Sequence, residues 1–252
     1  MFAPGGPTVR ELAVQALSSV ERGYDLLAPK FDRTPFRTPD AVLAAVADAT
    51  RPLGPFRDGL DLCCGTGAGM SVLARLCPGR ITGVDFSAGM LAQGRADWSP
   101  PGAAAGSRGP AHVDWVRADA RALPFRSAVF DLVVSFGAFG HFLPRQRPWL
   151  FEQVRRVLRP GGRFVFPLAA PAPAGSVAAW ATLAFDTAMR VRNVLWRPPF
   201  VMYYRTLRPA QVRRELADAG FAVTLTPLFA LGTRADGTAR CGMIVATRPG
   251  DR

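Results

Sequence analysis

The chain has 252 residues, 49% of them hydrophobic, which is enough for one sizeable α/β domain with additional segments and leaves little room for two. Its formal net charge of +12 is spread along the chain, since no basic run exceeds the pairs Arg155-Arg156 and Arg213-Arg214, and a nucleic-acid partner is therefore not indicated. The four cysteines form no CxxC pattern and have no ligand-like spacing to the two histidines, which argues against a zinc site or a disulfide framework and favours a reducing compartment.

The first 57 residues precede the first predicted strand, and their pattern predicts helices over 9–22, 24–31 and 40–49. We expect them to form a helical cover on a larger domain, because so short a segment cannot build a core alone. Within it, Tyr24 and Phe31 are predicted either to line a ligand pocket or to anchor a helix. The segment lacks the charged-then-apolar order of a signal peptide, which favours a cytoplasmic protein.

The most informative stretch is GLDLCCGTGAGM at 59–70, which reads as a strand end, a glycine turn and the start of a helix. Gly65 and Gly67 allow positive φ and let backbone N–H groups approach a ligand, and the helix start adds a positive dipole end. A carboxylate or a phosphate fits such a turn. A dinucleotide fingerprint starting at Gly65 would need glycine at position 70, where the chain has Met70, and this weakens a nicotinamide interpretation.

Carboxylates end the next two predicted strands. Strand 80–84 is followed by Asp85, placed where it can accept hydrogen bonds from both hydroxyls of a ribose. Ser87 is placed to cap the helix that comes next. Strand 112–118 is followed by Asp119, which can accept from an exocyclic amino group or serve as a turn or cap residue.

The rest of the chain continues to alternate strands and helices, which predicts a doubly wound α/β fold. The elements predicted before residue 168 are a loop over 98–110, a strand over 130–135, a helix over 148–158, a turn over 159–163 and a strand over 164–166. A helical cap insertion is predicted over about 168–207, within a domain of residues 58–252. The chain then continues with a predicted helix over 206–220 and a hairpin of strands 222–231 and 241–247.

The insertion contains a helix, predicted near 175–196, with two apolar stripes. One comprises Trp180, Ala184, Ala188, Val191 and Leu195, and the other comprises Phe185, Met189 and Trp196. Core packing explains one stripe, whereas an apolar or aromatic substrate could explain the second, so Trp180 and Phe185 are candidate substrate contacts. The charge-free run 164–185 is long enough to cross a bilayer, but its prolines divide it and we expect no membrane span.

Five segments between residues 59 and 166 resemble the class I S-adenosylmethionine-dependent methyltransferases, in particular their small-molecule, ubiquinone/menaquinone-methyltransferase-like branch. They include DLCCGTG at 61–67, GVDFSAGML at 83–91, WVRADARALPF at 115–125 and RRVLRPGGRFVF at 155–166. The resemblance implies a Rossmann-like, seven-stranded, mostly parallel sheet with an antiparallel C-terminal strand. It also implies S-adenosylmethionine as cofactor and S-adenosylhomocysteine as product.

By the same resemblance, the glycine turn faces the methionyl part of the cofactor, Asp85 binds the ribose, and Asp119 or its neighbour reads the adenine amino group. The implied cofactor-binding residues are Asp61, Cys63, Gly65, Thr66, Gly67, Asp85, Phe86, Met90, Asp119, Ala120, Ser135 and Phe136. One departure is visible, because Cys63 stands where the family usually has its first glycine.

A base is needed only if the methyl acceptor carries a proton that must leave early. His141 follows the fourth predicted strand and could take a phenol or hydroxyl proton, because imidazole titrates near neutral pH, or it could have a structural or cofactor-contacting role. The resemblance implies a small-molecule acceptor. The absence of an N/D-P-P-Y motif and of a Pro-Cys pair after that strand argues against enzymes that methylate nucleobase or amide nitrogens and against cytosine-C5 enzymes. The alternatives are a protein or RNA methyltransferase, motivated by the charge, and a non-catalytic S-adenosylmethionine-binding protein.

Overall fold

The computed structural model describes residues 6–8, 10, 11, 14, 18–34, 36–99, 109–170, 175–177, 179, 180, 183, 184, 187, 188, 191 and 209–250. Most of the predicted loop over 98–110, most of the first predicted helix and much of the predicted insertion lie outside the described residues.

The described residues contain a seven-stranded sheet with the strand order β3-β2-β1-β4-β5-β7-β6. The strands are β1 (Gly59–Leu62), β2 (Arg80–Asp85), β3 (His112–Arg117), β4 (Phe130–Val134), β5 (Leu158–Ala169), β6 (Ala222–Pro227) and β7 (Cys241–Thr247). The first five strands pair in parallel, whereas β7 runs antiparallel to both β5 and β6. The predicted mostly parallel sheet with an antiparallel C-terminal strand is confirmed.

Helices cover both faces of the sheet. Those with continuous bounds are α1 (Val20–Leu27), α2 (Asp40–Thr50), α3 (Ala68–Leu76), α4 (Ala88–Asp97), α5 (Arg147–Val157) and α6 (Pro209–Asp218). Because side chains alternate along a strand, Phe164 and Phe166 pack with α5 and α6, while Val165 packs on the other face with α2 and α3. The loops at the carboxyl ends of the central strands are therefore held on a rigid, two-sided core.

Two local predictions differ from the structure, and one is confirmed. Helix α1 continues through Gly23, where the sequence predicted a break, and its N-terminus is capped by Ser19. The predicted turn over 159–163 is a bulge inside β5, where Gly161 has φ 79° and the register with β4 shifts. Ser87 caps α4 as predicted, since its Oγ accepts a hydrogen bond from Met90 N–H at 3.1 Å.

One of the two apolar stripes of the insertion was expected to pack in the core. Trp180, Ala184, Ala188 and Val191 lie in helical segments and are exposed. Core packing therefore does not explain the first stripe over these positions. Leu195 and the whole second stripe lie outside the described residues. No helix among the residues that the structure describes has the length and hydropathy required to cross a membrane.

Candidate active site

A cavity of about 550 Å³ lies at the carboxyl edge of the sheet, in the size range of small-molecule sites. It brings together these predicted site residues: Tyr24, Phe31, Cys63, Gly65, Asp85, Phe86, Met90, Asp119, Ala120, Phe136 and His141. It is also lined by residues that the sequence did not single out for a site: Phe36, Ala118, Arg121, Gly137, Ala138, Gly140, Phe142 and Gln146.

The glycine turn between β1 and α3 forms one wall of this cavity. Gly65 has φ 53° and Gly67 has φ 93°, a region that glycine adopts without strain. A Cβ built on Gly65 would meet no atom within 4 Å, so open space lies beside the backbone there. Cys63 also has positive φ, at 57°. Glycine adopts this conformation without a Cβ clash, which explains why the family that the sequence resembles usually has glycine at this position. Burial raises the pKa of the Cys63 thiol, which therefore stays protonated.

Asp85 joins the turn to the start of α4. Its Oδ2 accepts from Gly65 N–H at 2.9 Å, and its Oδ1 accepts from Ser87 N–H at 2.9 Å. The backbone N–H of Phe86 also donates to this carboxylate. Since a carboxylate offers about four lone-pair sites, acceptor capacity remains for a ligand hydroxyl. The side chain is buried, and this burial raises the pKa of Asp85 above its ordinary value.

Asp61 lies beneath the turn and does not line the cavity. It is 1% exposed, and it accepts hydrogen bonds from the Met70 and Gly69 N–H groups at the start of α3. Its Oδ2 is buried with no hydrogen-bond partner in the described part of the chain. Burial, followed by the nearby charge of Asp85, raises the pKa of Asp61. Two buried carboxylates therefore flank the turn, and a cationic ligand there would relieve their repulsion.

Asp119 follows β3 in the cavity lining and is held by Arg121. The guanidinium donates through Nε to Asp119 Oδ1 at 2.9 Å, and this hydrogen bond lowers the pKa of the carboxyl group. Arg121 also donates through its backbone N–H to Oδ1 and through Nη2 to Oδ2. The carboxylate therefore remains ionised, and a ligand donor would share its oxygens with Arg121. Arg121 was not predicted, because an arginine two residues after an acid carries no distinctive pattern.

Trp115 of β3 supports the glycine turn from behind, which the sequence reasoning also missed. A Cβ on Gly67 would lie 2.5 Å from Trp115 Cη2, and one on Gly94 would lie 2.7 Å from Trp115 Cζ3. Gly94 also brings α4 against the turn, since its added Cβ would lie 2.8 Å from the Thr66 carbonyl oxygen. A glycine inside a predicted helix was the available signal for this close approach.

The segment before β1 docks over the cavity through polar contacts of Asp25, Asp32 and Tyr24. Asp25 accepts from Ser87 Oγ at 2.6 Å and from Gly89 N–H at 2.8 Å, so it adds a second cap to α4. Thr66 Oγ1 donates to Asp32 Oδ1 at 2.7 Å. The Tyr24 hydroxyl lies 2.6 Å from His141 Nε2.

The other predicted site residues lie outside the cavity lining. Thr66 faces Asp32, and Gly67 packs on Trp115. The Ser135 hydroxyl is buried and donates to the Leu62 carbonyl at 2.8 Å, where it fixes β4 to β1. Trp180 is exposed, and Phe185 lies outside the described residues.

The cavity is aromatic around His141, where the ring of Tyr24 lies 5.3 Å from the His141 ring and 6.2 Å from the Phe31 ring. Phe36, Phe136 and Phe142 also line the cavity, as does the polar side chain of Gln146. Gln146 Oε1 accepts from Leu143 N–H at 2.8 Å, which orients the amide and assigns its NH₂ group as a donor. Among the described residues, no cluster of His, Cys, Asp and Glu could hold a metal ion.

Comparisons with known proteins bear on the same part of the chain. A protein-family profile described as a methyltransferase domain matches residues 60–162. The chain is 38% identical over 122 residues to a phthiotriol/phenolphthiotriol dimycocerosates methyltransferase of Mycobacterium tuberculosis, covering 48% of this chain and 40% of that protein. It is 38% identical over 107 residues to a demethylmenaquinone methyltransferase of Clavibacter sepedonicus, covering 42% of this chain and 38% of that protein.

The chain thus spans about 40% of the length of these curated relatives. Among solved structures, human N-acetylserotonin methyltransferase in complex with S-adenosylmethionine is similar with a TM-score of 0.60. That alignment covers 98% of this chain and 61% of the human chain, at 16% identity. At this identity, the similarity shows a shared fold.

Proposed function

We propose that this chain belongs to the class I S-adenosylmethionine-dependent methyltransferases and transfers a methyl group from S-adenosylmethionine to a small apolar or aromatic acceptor. The observation that carries the proposal is one cavity with two kinds of lining. Gly65, Asp85 and Asp119 contribute backbone and carboxylate groups, whereas Tyr24 and His141 lie among aromatic side chains.

The residues present fit the cofactor. The buried Asp61 and Asp85 favour a ligand that carries positive charge beside the glycine turn, and the Asp61 Oδ2 lacks a partner among the described residues. Asp85 can accept a further hydrogen bond from a ribose hydroxyl, and the ionised Asp119 would share its oxygens between Arg121 and the adenine amino group. S-adenosylmethionine, when bound, supplies a methyl group already activated by its sulfonium. The fit therefore involves charge, hydrogen bonding and space at once.

The protein's main contribution is to position the acceptor and to exclude water. Alignment of bound reactants can supply about 7–11 kcal/mol of a barrier. The Tyr24–His141 contact holds the segment before β1 against the segment after β4, which covers the aromatic part of the cavity. The acceptor is thereby shielded from solvent.

The Tyr24–His141 pair is also the proposed destination of a proton from the acceptor. When the Tyr24 hydroxyl takes the acceptor's proton, it can pass its own proton to His141 Nε2 across the existing 2.6 Å contact. His141 thus acts as the base that the sequence predicted, and it does so through Tyr24. A phenol or another acidic hydroxyl suits this arrangement.

Two further observations support an apolar acceptor. Four phenylalanines line the cavity, namely Phe31, Phe36, Phe136 and Phe142. The curated relatives are named as methyltransferases of demethylmenaquinone and of phthiotriol or phenolphthiotriol dimycocerosates. We therefore place the acceptor among lipophilic molecules that carry a hydroxyl or an activated ring carbon.

The experiment is transfer of tritium from labelled S-adenosylmethionine to a panel of phenols, hydroquinones and extracted lipids. The proposal predicts label in an organic-soluble small molecule, and it predicts that His141→Gln lowers this transfer while leaving S-adenosylhomocysteine binding intact. Label recovered in protein or RNA would contradict the proposed acceptor class. Binding of S-adenosylhomocysteine with no transfer to any acceptor would favour the non-catalytic alternative.

A further inference from the structure

Gln146 lines the cavity but has no role in the methyl transfer proposed above. It belongs to the segment that follows β4 and contains two short helical turns, Ala138–His141 and Pro144–Gln146. His141 ends the first turn, and Gln146 ends the second. The segment that carries the proposed base therefore also brings a side-chain amide to the same cavity.

Two reciprocal hydrogen bonds fix the conformation of Gln146. Its backbone N–H donates to the Leu143 carbonyl at 2.8 Å, and its Oε1 accepts from the Leu143 N–H at 2.8 Å. Because a backbone N–H can only donate, the amide oxygen is assigned and the NH₂ group lies on the other side of the amide. Glutamine and glutamate both make this return bond to the backbone at helix starts.

The next residue anchors this turn to the core. Arg147, the first residue of α5, is 5% exposed, and its Nη2 lies 2.9 Å from Glu215 Oε1 on α6. Helix α5 also buries Leu150 and Phe151 in the core. Gln146 is thus held at the start of a well-packed helix, so its amide loses little conformational freedom when a ligand binds.

The NH₂ group of Gln146 has no hydrogen-bond acceptor among the residues that the structure describes. The side chain is only partly exposed, and a donor that a ligand removes from water costs free energy unless the ligand accepts from it. Asp85 and Asp119 place negative charge in the same cavity, which favours an uncharged oxygen over an anionic one as the partner of this donor.

We propose that the Gln146 NH₂ group donates to an oxygen of the methyl acceptor and thereby selects among acceptors. The molecules selected carry an uncharged oxygen, such as a carbonyl or an ether, in addition to the group that is methylated. A site built around such a hydrogen bond discriminates against the analogue that lacks the oxygen. The inference rests on the proposed function, because it concerns the acceptor of the same reaction.

The test compares the Kd values of para-hydroxyacetophenone and para-ethylphenol, measured by calorimetry with the full chain saturated with S-adenosylhomocysteine. The two probes are nearly equal in size, and only the first has a carbonyl oxygen. We expect the wild type to bind para-hydroxyacetophenone about threefold to tenfold more tightly than para-ethylphenol, as one neutral hydrogen bond allows.

Two variants isolate the donor. Gln146→Glu keeps an oxygen for the Leu143 N–H but replaces the NH₂ group by a second oxygen, and Gln146→Met removes the donor without adding charge. Both should lose the preference for para-hydroxyacetophenone, with little change in the Kd for para-ethylphenol or for S-adenosylhomocysteine. Arg145→Met is the matched control, because Arg145 is exposed on the same helical turn, and it should keep the preference.

Three results would overturn the proposal. The first is a wild type that binds neither probe or binds both with the same Kd. The second is a preference that survives in either Gln146 variant, with each variant shown to be folded by its thermal unfolding transition. The third is weaker binding of S-adenosylhomocysteine by both variants, which would assign the amide to the cofactor. Probe binding requires no methyl transfer, so failure of this inference is distinguishable from failure of the proposed function.

Discussion

The hydroxyl of Tyr24 lies 2.6 Å from Nε2 of His141, across 117 positions of sequence. The contact joins α1 to the turn after β4, and both residues line the same cavity. In the proposed mechanism, this hydrogen bond both covers the site and carries a proton away from the acceptor.

Replacing either partner of this pair should impair transfer more than cofactor binding. We expect His141→Gln to lower kcat by about 10²-fold and Tyr24→Phe by about tenfold or more, because a positioned acid–base group contributes roughly 10²–10⁴-fold. Initial rates with the accepted acceptor, and calorimetry with S-adenosylhomocysteine, separate the two effects. His112→Gln, at the exposed start of β3, is the control and should leave kcat unchanged. Full kcat in the His141→Gln variant would mean that His141 does not act as the base.

Asp85→Asn should weaken cofactor binding and make stability less dependent on pH. Burial raises the pKa of Asp85 above 3.8, and the negative charge of Asp25 adds to this. A raised carboxyl pKa means that stability falls as pH rises from the ordinary value through the raised one, whereas asparagine does not titrate. The asparagine NH₂ group would face the backbone N–H of Gly65 or of Ser87, and it weakens the hydrogen bonds to ribose, which are worth about 1.5–3 kcal/mol with a charged group.

The measurements for Asp85→Asn are the Kd for S-adenosylhomocysteine and the thermal midpoint across pH. We expect a Kd roughly tenfold or more above that of the wild type, and a midpoint that is less dependent on pH. An unchanged Kd would mean that the carboxylate does not contact the cofactor. Asp236→Asn, on an exposed turn, is the control.

Gly94→Ala should loosen the glycine turn. The added Cβ would lie 2.7 Å from Trp115 Cζ3 and 2.8 Å from the Thr66 carbonyl oxygen, so the turn must move. Overpacking of this kind costs about 1–3 kcal/mol. We expect a lower thermal midpoint and weaker S-adenosylhomocysteine binding. Gly250→Ala, where a Cβ meets open space, should change neither, and equal behaviour of the two variants would contradict the supporting role of Trp115.

Asp119 should be responsible for recognising the adenine amino group. We expect the wild type to prefer S-adenosylhomocysteine over its inosine analogue, in which an oxygen replaces the amino group, because the analogue offers the carboxylate no amino donor and places an oxygen beside it. Asp119→Ala should bind the two ligands with similar Kd in competition calorimetry. If this variant keeps the preference of the wild type, another group reads the base.

Cys63→Gly should be tolerated, whereas Cys64→Gly should not. Cys63 has φ 57°, a conformation that costs a residue with a Cβ about 1–2 kcal/mol and costs glycine little. Cys64 is buried, so the same change there loses packing and adds backbone entropy, at about 1–2 kcal/mol. Urea unfolding of both variants measures the free energies of unfolding to be compared. A Cys63→Gly variant less stable than Cys64→Gly would contradict this view of the turn.

The sequence predicted the elements of the sheet and much of the cavity lining, because both follow from local pattern. Asp85 and Asp119 end neighbouring parallel strands, and the ends of such strands meet at one edge of the sheet. Tyr24 was predicted to line a pocket or to anchor a helix, and His141 was chosen because it follows the fourth strand. The structure places both in the cavity, and their roles stay predictions.

What could not be predicted depends on packing between distant segments. The positions of Trp115 behind the turn, Arg121 on Asp119 and Gln146 in the cavity lining follow from tertiary contacts that leave no periodic signal. The exposed stripe of the insertion was missed for a different reason. An apolar face on a helix predicts that something covers it, but periodicity does not tell whether the cover is the protein's own core.

The central claim is that the turn at Gly65 and the carboxylate of Asp85 form a site for an adenosyl sulfonium compound. Isothermal titration calorimetry of the purified chain with S-adenosylmethionine, S-adenosylhomocysteine and NAD tests it most directly. The account predicts one site with a micromolar Kd for the first two ligands and no heat with NAD. Binding of NAD together with no binding of either adenosyl ligand would contradict it.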